Sequence, residues 1–271
     1  MFKIKKYIPD IVVAIILIAG IGLLAYPTIG DYINALHSSK AIGSYVEKTK
    51  DLSKEEKENL LREAREYNES LVGKVNRYYL NEEEKKRYAH ILDITKTGIM
   101  AYVEIPKLNI YMPVYHGTDE GVLQIAAGHL PGSSLPVGGE NTHSLISGHR
   151  GLPSAKLFTD IDKLKKGDLF FIHVFDEVLA YKVNQIKIVL PDDVEIEKGK
   201  DYVTLITCTP YGVNSHRLLV RGERTVYKQS ESKIEDMIKK NNLKYIMLTA
   251  GVILALIGMT VLVSVFLIKR R

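Results

Sequence analysis

Residues 204–224 read TLITCTPYGVNSHRLLVRGER, and this stretch decides the fold. TLITC is a short apolar, β-branched run, and the segment after Arg217 is a second one. Between them stand Pro210, Gly212 and Asn214, residue types that mark turns. The pattern predicts two strands joined as a hairpin. The end of the first strand then lies beside the start of the second, so Cys208 and Arg217 become neighbours although nine positions apart.

The same texture extends upstream as far as Gly98. Residues 99–105 and 108–114 are strand-like and split by Pro106; 143–147, 168–174, 178–189, 202–208 and 218–223 follow. Each is short, rich in β-branched and aromatic residues, and bounded by Gly, Pro, Asn or Asp. No long helical pattern alternates with them, which disfavours a doubly wound parallel sheet. A mostly antiparallel closed barrel is the predicted architecture, a mainly β fold.

Residues 38–97 read differently. Ser53 and Glu56 form a capping box. Leu60, Leu61, Ala64, Tyr67 and Leu71 then recur at helical spacing until Gly73. Asn81 with Glu84 opens a shorter helix, given an apolar side by Tyr88, Ile91 and Leu92. Nothing in this part forms a reactive constellation, so packing is its expected role.

Two uncharged runs flank this body. Residues 11–26 read IVVAIILIAGIGLLAY, and no Lys or Arg occurs between Lys6 and Lys40. Residues 245–268 are 24 uncharged positions ending in Lys269, Arg270 and Arg271. At 1.5 Å per residue that run makes roughly 36 Å of helix, enough for a hydrocarbon core of about 30 Å. A cleaved signal peptide is the competing reading of the first run. It lacks a small-x-small site, and Pro27 stands where one is expected, so an uncleaved anchor is preferred. Lys3, Lys5 and Lys6 favour a cytoplasmic start, as do the basic residues at the far end. Lys239, Lys240 and Lys244 oppose this, but the first helix usually dominates.

Composition narrows the function. Lys plus Arg is 37 and Asp plus Glu is 32. Setting aside the six cations at the two tips leaves 31 against 32, so the body is not basic and nucleic acid is not an expected partner. One cysteine excludes an internal disulfide and a multi-cysteine zinc site. A lone cysteine is as often a small buried hydrophobe as a reactive group. At a strand end before a loop, Cys208 is well placed for the second role.

A base is the next requirement. His37, His90, His116 and His173 read as surface or satisfied core residues. His129, His143 and His149 make a candidate metal set, yet no carboxylate is convincingly spaced with them, so no metal and no cofactor is expected. No loop has a recognisable calcium pattern either. His149 leaves the strand THSLIS into the Gly-flanked loop SGHRG. A thiol, an imidazole and a guanidinium form a complete acyl-transfer kit. An unperturbed thiol is only a few per cent ionised at neutral pH, and a nearby cation favours the thiolate. An imidazole can protonate a departing amine and accept a proton from an incoming one. Arg217 cannot deprotonate, which suits a fixed charge.

The string around Cys208 resembles the sortase signature, a TLxTC strand followed by a nearby arginine. Residues 128–153, GHLPGSSLPVGGENTHSLISGHRGLP, are similar to the region around the catalytic histidine of class C, pilus-assembling sortases. The resemblance implies an eight-stranded β-barrel with an N-terminal helical extension. It implies a transpeptidase with Cys208 as nucleophile, His149 as acid and base, and Arg217 stabilising the oxyanion or binding substrate. The implied substrate is an LPxTG-like sorting signal, and the implied acceptor is a lysine amine of another pilin subunit. A sortase of another class, using a cell-wall amine, is the enzymatic alternative. A membrane-anchored binding protein with an inert cysteine is the other. Many class C sortases carry a lid with an Asp-Pro-aromatic motif. The corresponding stretch here reads Asn76-Arg77-Tyr78-Tyr79, so either Tyr78 or Tyr79 caps the groove differently or the lid is absent. The expected organisation is a cytoplasmic tail (1–10), an anchor (11–27), an external helical extension with a possible lid (28–97), a barrel (98–228), a linker (229–244), a second membrane helix (245–268) and a cytoplasmic tail (269–271).

Overall fold

The computed structural model describes residues 8–74 and 76–226, with Met247, Ala250, Gly251 and Gly258 besides. Two compact units divide the chain, one of Met1–Tyr32 with Lys228–Arg271 and one of Ile33–Tyr227.

In the first unit the apolar run belongs to helix α1, Ile8–Asp51. Its large side chains face outward: Leu23 is 76% and Leu24 83% exposed. An 18-residue window has mean hydropathy 1.5 with none of it buried. Such a surface is costly in water and suited to lipid, and the helix is long and apolar enough to cross a membrane. The sequence reading ended the anchor at residue 27, but the helix runs through Pro27. Proline removes one backbone hydrogen bond there, and the neighbouring turns carry the helix on. The second apolar run, 245–268, lies outside the described residues except for four isolated positions.

The second unit is built around a closed barrel. Its strands are β1 (Ile99–Ile105), β2 (Ile110–His116), β3 (Ala127–His129), β4 (Thr142–Gly148), β5 (Leu169–Val174), β6 (Glu177–Val189), β7 (Asp201–Thr209) and β8 (His216–Arg224). They close in the order β1-β2-β3-β4-β7-β8-β6-β5. All pairs are antiparallel except β2 with β3 and β4 with β7. The mainly β barrel is therefore as expected, with two corrections. The three-residue β3 was not predicted, because AGH has no periodicity to read. Leu108 belongs to a short 3-10 turn, Pro106–Leu108, and the strand begins at Ile110.

Helix α2 (Lys54–Ser70) carries the capping box read from the sequence, at Ser53–Glu56, and α3 (Glu82–His90), expected to start at Asn81 and Glu84, carries a second one there. Their apolar sides join the barrel core through Leu61, Ala64, Tyr67 and Tyr88. Buried polar groups then fix the docking. Tyr45, fully buried on α1, donates its hydroxyl hydrogen to the Met100 carbonyl at 3.1 Å and accepts the Phe175 N–H at 3.0 Å. Asn68 on α2 makes a two-way pair with the Leu135 backbone, at 3.1 and 2.7 Å. The Tyr88 hydroxyl on α3 accepts the Gly117 N–H at 3.0 Å and lies 2.9 Å from His129 Nδ1.

Two buried histidines require the neutral ring. His129 accepts from Tyr88 at Nδ1 and donates from Nε2 to the Ser134 carbonyl at 2.9 Å. His143 accepts the Glu197 N–H at Nδ1, 2.9 Å away, and meets Thr204 Oγ1 at 2.7 Å through Nε2. Burial pushes both down from 6.5 to about 3. A base held below its unfolded value binds protons first in the unfolded chain. Stability is therefore full above about pH 6.5 and is lost as pH falls toward 3, by about 1.4 kcal/mol per pH unit for each ring. Urea unfolding of the full chain at pH 7, 5 and 4 checks this. Tyr45→Phe strands the Met100 carbonyl and the Phe175 N–H, and should cost about 1–3 kcal/mol in the same assay.

Candidate active site

Strand alternation sorts the residues of β7 and β8 into two faces. Val203, Leu205, Leu218 and Val220 point into the barrel core. The intervening Thr204, Ile206 and Cys208, with Arg217, Leu219 and Arg221, share the outer face. The antiparallel register pairs Cys208 with Arg217 directly. The sequence reading of the hairpin is correct in this respect. Cys208 is a free, half-buried thiol. The turn between the strands closes with the N–H groups of Val213 and Asn214 on the Pro210 carbonyl, at 3.1 and 2.9 Å.

His149 arrives from a different direction. β4 runs parallel to β7, with Ser147 opposite Ile206. His149 directly follows the end of β4, and Cys208 lies two residues beyond Ile206 on β7, so both stand at the same end of the paired strands. Thr207 ties this end together by donating to the Gly148 carbonyl at 2.8 Å. Gly148 is required by a close approach: a Cβ there would lie 2.6 Å from the Phe158 ring. Phe158 fills that space, is fully buried, and donates its N–H to the His149 carbonyl at 3.1 Å. The backbone that presents His149 is thus clamped from two sides.

The charges at this end are unevenly paired. Arg217 donates to the carbonyls of Asn214 and His216, each at 3.2 Å. It forms no ion pair with a carboxylate among the described residues. Its neighbour Arg150 is neutralised by Asp162 and reaches Thr209 Oγ1 at 3.4 Å. His149 Nε2 lies 3.4 Å from Glu120 Oε2. Sequence reasoning missed Glu120. It sits on a one-turn helix α4, Glu120–Leu123, with no motif to mark it.

Below Cys208 and Arg217 the outer face continues into a cavity of about 200 Å³. Leu145, Val189, Val194 and Leu219 are its apolar lining, and charged side chains such as Lys187, Glu197 and Arg221 line it too. The β6–β7 connection is held down by the Glu197 contact to His143 and by a Glu197–Arg221 ion pair. Arg221 in turn lies over the Tyr202 ring, 4.3 Å from its centre. A larger cavity of about 290 Å³, beside Asn68 and Thr142, lies at the start of β4 and holds neither a thiol nor an imidazole.

The remaining sequence candidates separate clearly. His129 and His143 spend both ring nitrogens on protein groups, and among the described residues no group of His, Cys, Asp and Glu could hold a metal. Tyr78 reaches the β6–β7 connection, its hydroxyl 3.4 Å from the Val194 carbonyl, and Arg77 anchors the segment on the Gly132 carbonyl at 2.7 Å. Tyr79 is 83% exposed.

Comparison with known proteins bears on this geometry. The sortase domain family matches residues 103–225, a range that includes Cys208, Arg217 and His149. Sortase A of Bacillus anthracis is 30% identical over 132 residues, 48% of this chain and 61% of that protein. Sortase D of Bacillus subtilis is 32% identical over 128 residues, 45% of this chain and 62% of that protein. The chain thus spans a little over three-fifths of the length of these curated relatives. Among solved structures, sortase C1 of Streptococcus agalactiae superposes with a TM-score of 0.66 at 48% identity, covering 70% of this chain and 100% of that one. Sortase C of Streptococcus pneumoniae gives 0.61 at 44% identity, covering 71% and 100%. With the barrel, the paired thiol and arginine, and a match along the full length of solved sortase C chains, this protein belongs to the sortase family.

Proposed function

We propose that the chain is a cysteine transpeptidase that cuts an LPxTG-like sorting signal between Thr and Gly and joins the new acyl end to a lysine amine of another pilin subunit. The reading rests on the direct pairing of Cys208 with Arg217 on β7 and β8, with β4 delivering His149 to the same end of β7. The solved relatives named sortase C support the pilin acceptor. The curated relatives named sortase A support the alternative of a cell-wall amine as acceptor.

The chemistry follows from the three side chains. The Cys208 thiolate attacks the Thr carbonyl carbon, and its electron pair forms the C–S bond. The carbonyl oxygen becomes an oxyanion beside Arg217, whose guanidinium is permanently charged and has no carboxylate to neutralise it among the described residues. As the intermediate collapses, the C–N bond to Gly breaks. The His149 imidazolium gives its proton to the departing amine. The thioester left on Cys208 is then attacked by the incoming amine, which passes a proton to the now neutral His149. The thiolate leaves, and an amide bond replaces the one that was cut. The cavity beside Val194 and Leu219 would take the apolar residues that precede the Thr.

The apolar part of α1 would anchor the protein in the membrane, with residues 245–268 as a second span and everything from about 28 to 244 outside the cell. The stretch around Tyr78, resting on the β6–β7 connection, would serve as a cap over the groove.

Incubation with an LPxTG-type peptide followed by mass spectrometry should reveal a thioester on Cys208 that is absent from Cys208→Ala. Transfer that survives in Cys208→Ala would overturn the mechanism. His149→Ala should slow thioester formation by about 10²- to 10⁴-fold. Arg217→Lys keeps the charge but loses the planar fork, and should slow it by up to about 10²-fold. Supplying purified pilin and a wall-precursor mimic in separate reactions identifies the acceptor. A reporter fused near residue 230 should report an extracellular position, and a cytoplasmic one would reverse the topology.

A further inference from the structure

We propose that Glu120 is a positioning residue for His149: its carboxylate holds the imidazole through Nε2 and so keeps Nδ1 for the transferred proton. The proposal rests on the assignment of His149 as acid and base.

Three observations carry it. First, His149 Nε2 is shut off from solvent and has no partner in hydrogen-bond geometry among the described residues. Buried ring nitrogens are normally satisfied. Second, Glu120 Oε2 stands 3.4 Å from that nitrogen, and the side chain is 69% exposed, so a small rotation closes the bond. Third, the fold delivers Glu120 to this place. Gly128 on β3 faces Gly117 so closely that a Cβ would lie 2.2 Å from the Gly117 carbonyl oxygen. The turn that precedes α4 therefore lies flat on β3. β3 in turn pairs with the end of β4, Ala127 opposite Gly148, immediately before His149.

The chemical consequence is a defined tautomer. With Nε2–H given to Glu120, the proton on Nδ1 of the imidazolium is the one delivered to the departing amine. The neutral ring that remains keeps its hydrogen on Nε2, and the bare Nδ1 accepts the proton of the incoming amine. The Glu120 carboxyl is itself held below its usual range, mainly by Gln124 and in smaller part by His149. Other ionisable groups near this end include Cys208 and Arg217 on β7 and β8, Asp119 next to Glu120, and Arg150, which is engaged with Asp162, Thr209 and the Tyr211 ring.

The test uses the full chain in detergent with ¹⁵N-labelled histidine, in the Cys208→Ala background. The parent should show His149 with its hydrogen on Nε2. Glu120→Ala should give a mixture of tautomers. Glu120→Gln, which keeps an acceptor but loses the charge, should keep the tautomer. In chains with Cys208 intact, Glu120→Ala should slow thioester formation about two- to fivefold with KM unchanged. An unaltered tautomer in Glu120→Ala would overturn the proposal. Because the resonance measurements need no turnover, they decide the role of Glu120 even if transfer by the parent proves independent of Cys208.

Discussion

Parallel pairing of β4 with β7 is the constraint on which the site depends. Its register runs from Thr142 opposite Asp201 to Ser147 opposite Ile206. It fixes which residues, 59 positions apart, emerge together at the strand ends. A slip of one residue would turn either His149 or Cys208 to the other face. The hairpin to β8 adds the third group at no further cost in chain ordering, because a short turn sets the pairing of Cys208 with Arg217. The packing of Phe158 on Gly148 and the Thr207 bond to the Gly148 carbonyl make such a slip expensive.

Around this core the polar interior is arranged to specify one docking of the helices. Apolar burial drives the association, but it is non-directional. Direction comes from groups that lose a partner if the helix shifts: the Tyr45 hydroxyl, the Asn68 amide and the Tyr88 hydroxyl. Two of them bond to loops rather than strands, at Leu135 and Gly117. The helical extension thus helps to hold the loops that flank β3, including the one that leads to Glu120.

Much of the barrel was legible in the sequence because short alternating segments and turn residues are local signals. The Ser53–Glu56 capping box and the helix start at Asn81 were legible for the same reason: each signal is completed within four residues. The hairpin pairing of Cys208 with Arg217 needed only one further step. By contrast, β3 is too short to have a period, and its pairing is set by neighbours distant in the chain. Glu120 carries no pattern of its own, since the contact with His149 depends on the close approach of Gly117 to Gly128. His129 and His143 looked like metal candidates by type. Their partners, Tyr88 and Ser134 for one, Thr204 and the Glu197 backbone for the other, are fixed by tertiary folding. The continuity of α1 through Pro27 was obscured because proline is a breaker by local rules.

The phenol contacts on α1 and α3 have a consequence in strong alkali. Burial raises both Tyr45 and Tyr88 well above the ordinary tyrosine range. A phenolate at Tyr45 cannot donate to the Met100 carbonyl, and burial leaves its charge without water. Ionisation and attachment of these helices therefore exclude each other. The chain has 16 tyrosines and no tryptophan, so their release in base would form one step within the phenolate absorbance, unobscured by indole.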